Sequence, residues 1–176
     1  RFTLLTAEGA GLLAVSWRGY GGSTGSPSEA GLHLDALAAY DRLRETVSAQ
    51  RIIVFGESLG TGVAVWLGSQ LPAAALVLDS PYTAIYAIGQ QRYPWLPVRL
   101  LSRDPFDALA LAPDIAVPVF VFHCMNDPVV PYSLGQQLFA ALGSKDKRFE
   151  SVAGRCHVPG VEPLMPMFRE LEHMVL

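Results

Sequence analysis

The stretch from Arg51 to Gly68, RIIVFGESLGTGVAVWLG, constrains the fold more than any other part of the chain. Ile52 to Phe55 is a short apolar run rich in β-branched residues, and such a run reads as a strand buried on both faces. Gly56-Glu57-Ser58-Leu59-Gly60 then matches G-x-S-x-G. Thr61 to Gln70 alternates small and large apolar residues and reads as a helix packed on a sheet. Strand, sharp turn, helix is the setting in which this motif presents a nucleophilic serine. Gly56 and Gly60 are both expected to remove Cβ atoms that would collide with the neighbouring strand and helix. Ser58 would project its hydroxyl above the carboxyl edge of the sheet. The Leu59 N–H, at the helix start, would face a developing oxyanion and gain from the helix dipole. The competing reading is a Gly-Ser turn without chemistry; the strand and helix on either side favour the nucleophile.

The rest of the chain repeats the alternation. Arg1 to Glu8 reads as the last turns of a helix and Gly11 to Trp17 as a strand. A loop with four glycines, Arg18 to Glu29, leads through Pro27, Ser28 and Glu29 into a helix with apolar spacing at Leu32, Ala36, Ala39 and Leu43. Ala74–Leu78, Val117–His123 and Arg148–Val152 read as strands, and Ser133–Leu142 and Val161–Leu176 as helices. Alternating strands and helices imply one α/β domain over residues 1–176, a mostly parallel sheet with helices on both faces. Residues 82–113 differ in character, with aromatics between prolines. They are expected to form a short cap or pocket-lining insertion, with Tyr82, Tyr86 and Trp95 facing a substrate.

Composition narrows the class. Hydrophobic residues make up 51% of the 176 and charged residues 16%, against about 25% charged in an average domain, which favours large buried surfaces. A net charge of -3 argues against a nucleic-acid partner, which wants a basic stripe. No apolar run reaches the roughly 18 residues of a membrane span. Two cysteines, Cys124 and Cys156, are too few for a disulfide scaffold. They fit a reducing compartment, and a cytoplasmic location is the expectation.

In parallel sheets, ligands bind beyond the carboxyl ends of the strands. Ser58, Asp79, Asp127 and His157 each follow such an end. A serine hydroxyl needs a base, and the base needs a partner that fixes its tautomer. His33 and His173 lie on helices and read as packing or surface residues; His123, ending a strand, reads as locally hydrogen-bonded. His157, in a glycine-containing loop after the last strand, is the expected base. Asp127 is favoured over Asp79 as the acid, because it follows the neighbouring strand. If the three residues meet, Cys124 and Cys156 become neighbours, and whether they pair stays open. Arg18 is expected to pair with a carboxylate. The chemistry expected is hydrolysis of a small-molecule carboxylic ester through an acyl-serine. The same triad would serve a thioesterase or a peptidase, and an inactive binding module of the same fold is the non-enzymatic alternative. No metal or cofactor is implied, because no His/Asp/Cys cluster has ligand spacing.

Several stretches carry a family resemblance: Arg18-Gly19-Tyr20-Gly21-Gly22-Ser23 with Pro27-Ser28-Glu29, the serine turn, Asp79-Ser80-Pro81-Tyr82-Thr83, Pro105-Phe106-Asp107, His123 to Pro131, and His157. Together they resemble the α/β-hydrolase fold, and within it the BEM46-like (ABHD13/ABHD17-like) serine hydrolases. The resemblance implies Ser58 as nucleophile, Asp127 as acid and His157 as base. Two departures stand out: Cys124 and Cys156 occupy positions where that family has glycine. The resemblance also implies three further strands before Arg1, with a His-Gly loop supplying the second oxyanion donor. The chain is then expected to be the carboxyl-terminal two-thirds of the domain. Gly11–Trp17 and Arg51–Phe55 would flank an empty strand slot about 9.6 Å wide, twice the usual spacing. An upstream segment or a companion polypeptide is expected to fill it.

Overall fold

The structure, a computed structural model, describes residue 6, residues 9–159 and residues 165–175. Apart from Thr6, the helical turns expected over Arg1 to Glu8 lie outside the described residues. Four strands, β1 (Ile53–Glu57), β2 (Ala75–Asp79), β3 (Val119–Cys124) and β4 (Lys147–Val152), form one sheet in the order β1-β2-β3-β4. All three pairings are parallel, and the registers Glu57↔Asp79, Asp79↔Phe122 and Cys124↔Val152 align the carboxyl ends along one rim.

Helix α1 (Glu29–Arg44) starts where Ser28 caps it, its side chain accepting the Gly31 N–H. Helix α2 (Leu59–Gln70) connects β1 to β2. Between β2 and β3 run α3 (Ile85–Arg92) and two single turns, α4 (Val98–Leu101) and α5 (Ala108–Leu111). Helix α6 (Tyr132–Ala141) connects β3 to β4, and α7 (Met165–Val175) follows. No helix among the described residues is long and apolar enough to cross a membrane.

Every residue of β2 and β3 is buried, and the two-residue strand period divides them between two cores. Leu76, Leu78, Val119 and Val121 pack with Ala64 and Val65 of α2 and Leu138 of α6. Ala75, Val77, Phe120 and Phe122 pack on the opposite face with Met167 and Leu171 of α7. A third cluster joins Leu32, Ala36 and Tyr40 of α1 to Val63 and Leu67 of α2. Helices on both faces of a parallel sheet are therefore observed.

One expected strand is corrected. Gly11–Trp17 joins no ladder, and Leu12, Leu13 and Val15 stand 46%, 44% and 37% exposed. A strand exists only through its neighbours' hydrogen bonds, and the described sheet reaches no further than β1 on that side.

Candidate active site

Ser58 sits between the last residue of β1 and the first of α2, with φ 49° and ψ -118°. A left-handed conformation at a residue with a side chain costs on the order of 1–3 kcal/mol and persists only where neighbours over-determine it. Here they do. The Ser58 N–H donates to the Asp79 carbonyl at 2.9 Å. The Ser58 carbonyl accepts the Thr61 N–H at 2.9 Å and the Thr61 hydroxyl at 2.7 Å. Gly56 is required for contact, since a Cβ there would lie 2.6 Å from the Gly60 carbonyl oxygen and 2.8 Å from Ala64 Cβ. Gly60 is not: a Cβ would meet nothing within 4 Å, so the collision expected at that position is absent.

The two loops that bring the other residues are zipped together beyond the sheet. Met125 N–H donates to the Val152 carbonyl at 2.9 Å and Asn126 N–H to the Gly154 carbonyl at 3.2 Å, extending the β3–β4 pairing. The Asp127 side chain is fully buried. Its Oδ1 accepts the Val129 and Val130 N–H groups at 2.8 and 2.9 Å. Its Oδ2 lies 2.8 Å from His157 Nδ1, and His157 Nε2 lies 2.9 Å from Ser58 Oγ. A carboxylate only accepts, so the neutral imidazole donates from Nδ1 to Asp127 and leaves Nε2 free to accept the Ser58 hydroxyl. The structure thus brings Ser58, His157 and Asp127 into one hydrogen-bonded chain. Asp79 stands at the rim, buried, with its carboxylate accepting the Ser80 hydroxyl at 3.3 Å.

Two further features flank His157. Cys124 and Cys156 form a disulfide with Cα atoms 5.6 Å apart, which answers the question of their pairing that the sequence left open. On the other side, the Val158 N–H donates to Ser80 Oγ at 3.2 Å. Ser80 and Val158 both have positive φ, 56° and 57°. Such a φ is a genuine outlier for a β-branched valine. The sequence carried a signal for the disulfide, since Cys124 lies three residues before the expected acid and Cys156 next to the expected base. It carried none for Ser80 or Thr61.

Among the other histidines, His33 stacks on Trp66 with centroids 4.1 Å apart, and burial holds its pKa below the ordinary value. His123 is fully buried. Its Nε2 donates to the Val130 carbonyl at 3.0 Å and lies 3.6 Å from Asp127 Oδ2, while its Nδ1 has no partner. Burial pushes its pKa down. The His173 side chain lies outside the described residues.

The three expected pocket residues differ in their surroundings. Tyr82 is 1% exposed, packed in the α1–α2 core with its hydroxyl on the Leu59 carbonyl at 3.1 Å. Its hydroxyl lies against Gly62 of α2, where a Cβ would come within 2.5 Å of it. Tyr86 donates to Asp107 Oδ2 at 3.2 Å. Trp95 is 76% exposed. A cleft of about 230 Å³ lies elsewhere, between the sheet and α7, lined by Phe120, Phe122, Arg148 and Met167 among others. Arg18 meets Asp35 as expected: its Nε and Nη2 reach the carboxylate at 3.0 and 2.6 Å, and its backbone N–H at 3.0 Å.

The sequence, compared with known families, matches the alpha/beta hydrolase fold family over residues 3–112, more than half the chain. The chain belongs to the alpha/beta hydrolase fold family. A second family, serine aminopeptidase S33, matches residues 106–163. An uncharacterized protein of Mycobacterium tuberculosis (strain ATCC 25618 / H37Rv) is 43% identical over 151 residues, 85% of this chain and 53% of that protein. Lysophosphatidylserine lipase ABHD12 of Mus musculus is 31% identical over 156 residues, 78% of this chain and 39% of that protein. The chain therefore spans about half the length, or less, of these curated relatives. Among solved structures, an esterase of Pyrococcus furiosus superposes with a TM-score of 0.76 at 22% identity, covering 99% of this chain and 73% of that one. A monoacylglycerol lipase of Paleococcus ferrophilus gives 0.70 at 20% identity, covering 99% and 86%. At these identities the likeness is one of fold. Ser58, Asp127 and His157 stand in the chain order Ser, Asp, His that this fold uses where it carries a triad.

Proposed function

We propose that the protein containing this chain is a serine hydrolase of the BEM46-like type, cleaving carboxylic esters through an acyl-serine intermediate. One observation carries the reading: the unbroken hydrogen-bond chain Ser58–His157–Asp127, on a turn held at positive φ where a helix begins. His157 Nε2 takes the Ser58 proton as Oγ attacks the carbonyl. The imidazolium formed is held by Asp127. The Leu59 N–H opens α2, where helix geometry leaves the first amides without intrahelical acceptors, so it is offered to the oxyanion. The second donor comes from outside this chain. His157 then protonates the leaving alcohol, and water repeats the cycle on the acyl-serine.

Relatives and neighbours named as lipases and an esterase support an ester of a fatty acyl chain as substrate. The match to serine aminopeptidase S33 supports a second reading, amide cleavage by the same three residues. An upstream segment or companion polypeptide is proposed to cover Gly11–Trp17, whose apolar side chains are exposed. Location follows the thiol chemistry. A cytoplasmic protein would keep Cys124 and Cys156 as thiols, whereas an oxidising compartment would hold the bond seen here.

The test is a fluorophosphonate applied to the full-length protein, followed by p-nitrophenyl esters of rising chain length and a peptide amide. Labelling confined to Ser58 with ester turnover is expected. Full-length protein that neither labels nor turns over would favour a binding module and sink the reading; amide turnover faster than ester turnover would favour the second.

A further inference from the structure

His157 stands in a segment, residues 153–159, with neither helix nor strand to fix it. A bond to the Asp127 carboxylate orients a ring but does not fix the backbone that carries it. The backbone is held instead through the residues on either side. Cys156 is bonded to Cys124, the fully buried last residue of β3, whose own place is set by its register with Val152. Val158 N–H is held by the buried Ser80 Oγ, one residue past β2. Its immediate neighbours thus suspend the base between the ends of two strands by one covalent and one hydrogen-bonded tether, and the Gly154 carbonyl, three residues earlier, accepts the Asn126 N–H.

We propose that the Cys124–Cys156 disulfide is the positioning element for the His157 imidazole, and that its reduction by a dithiol releases the base and slows the reaction. Cys156 is half-buried, Cys124 fully buried, so the attack falls on Cys156. A thiolate of the reductant attacks Cys156 Sγ, the S–S bond breaks, and the Cys124 sulfur leaves and takes a proton. The second thiol of the reductant displaces Cys156, which takes the other proton. Two electrons and two protons pass to the cysteines, and the dithiol leaves as a disulfide. The remaining backbone hydrogen bonds, Val158 N–H to Ser80 Oγ and Asn126 N–H to the Gly154 carbonyl three residues before His157, do not hold the ring on Ser58 Oγ. A displacement of about 1 Å at reacting groups costs on the order of 10²-fold in rate.

The kinetic part rests on the ester-hydrolase reading, and the experiment separates the two. The full-length protein is assayed oxidised, reduced with dithiothreitol, and reoxidised with glutathione disulfide, at a temperature where circular dichroism shows each form folded. A fall in kcat of about 10- to 100-fold on reduction, with KM unchanged and recovery on reoxidation, is expected. Cys124→Ser and Cys156→Ser should each match the reduced protein and be indifferent to dithiothreitol. In parallel, hydrogen exchange of amides 153–158 should quicken on reduction while that of β2 and β3 does not. Equal kcat in the two redox states, unchanged exchange of that segment, or a reduced protein with no folded form would overturn the proposal. If the oxidised protein fails to label with a fluorophosphonate, the hydrolase reading falls, while the exchange data still decide the tether.

Discussion

At Ser58 the positive φ, the Asp79 carbonyl and the Thr61 hydroxyl fix one hydroxyl against one imidazole. Replacing Ser58 or His157 by alanine should remove nearly all turnover. Asp127→Asn should cost on the order of 10⁴ in kcat by leaving His157 in the wrong tautomer, read from steady-state rates with the fold checked by circular dichroism. The two motif glycines should behave oppositely. Gly56→Ala drives a methyl against the Gly60 carbonyl and Ala64, an overpacking that costs about 1–3 kcal/mol. Gly60→Ala meets open space in the first turn of α2 and should be neutral or stabilising by up to about 1 kcal/mol, as alanine is the better helix former. Urea midpoints of the two variants moving in the same direction would contradict this. Half-buried His33 and buried His123 set a pH dependence. Burial holds both His33 and His123 below the ordinary value. As pH falls through about 6.5, the unfolded chain gains protons that the folded one does not, so stability falls on acidification. The urea midpoint should therefore drop between pH about 7.5 and about 5.5, and the drop should shrink in His33→Phe. A midpoint that climbs over that range would show that other groups dominate.

At the scale of elements, α6 lies on β3 through Gly135, where a Cβ would collide with the His123 ring. Gly135→Ala adds about 1 kcal/mol of helix propensity but presses a buried ring that hydrogen-bonds the acid loop at Val130. Overpacking of about 1–3 kcal/mol wins, so a lower melting temperature is expected despite the better helix former. The disulfide adds a second, larger effect. It closes a 32-residue separation, for which chain entropy gives about 3–4 kcal/mol. Urea unfolding with and without dithiothreitol measures it, and a difference below about 1 kcal/mol would mean that the native loops gain nothing from closure. These elements also show what the sequence made legible. β1, β2, β3 and β4 were read within a residue or two because each is a short run whose residues are apolar or follow a clear turn signal. The three site residues were placed because the fold sends every strand's carboxyl end to one rim. The burial of the aromatics in residues 82–113 was not legible. Tyr82 and Trp95 look alike as aromatics between prolines, yet one is core and the other is exposed. That difference is decided by packing between α1, α2 and the β2–β3 crossover, which no local pattern encodes. The disulfide was half legible: the spacing brought the cysteines together, but composition pointed to free thiols.

At the scale of the whole molecule, Gly11–Trp17 is the discordant part. GLLAVSW has the pattern of a strand buried on both faces, yet here it forms no ladder and leaves Leu12, Leu13 and Val15 exposed. Local preference and tertiary setting disagree, and such conflict marks either function or absent neighbours. Burying a leucine or valine side chain is worth about 1.5–3 kcal/mol. Three of them, with a backbone gaining ladder partners, form a substantial share of a typical stability of about 5–15 kcal/mol. The matched region is 53% of one curated relative and 39% of the other, which gives room for the chain that would cover this segment. The expected outcome is that amides 11–17 exchange slowly in the full-length protein and within seconds in residues 1–176 expressed alone. The shorter chain should also bind an apolar dye through this segment, and Leu12→Ser with Leu13→Ser should reduce that binding. Ester cleavage should appear only in the longer protein, because the second oxyanion donor is proposed to lie there, and losing such a donor costs about 2.7–4 kcal/mol of transition-state stabilisation. If residues 1–176 alone are soluble, melt cooperatively, protect amides 11–17 and cleave esters at the full-length rate, no upstream segment or companion is needed, and the segment's exposure here has another cause.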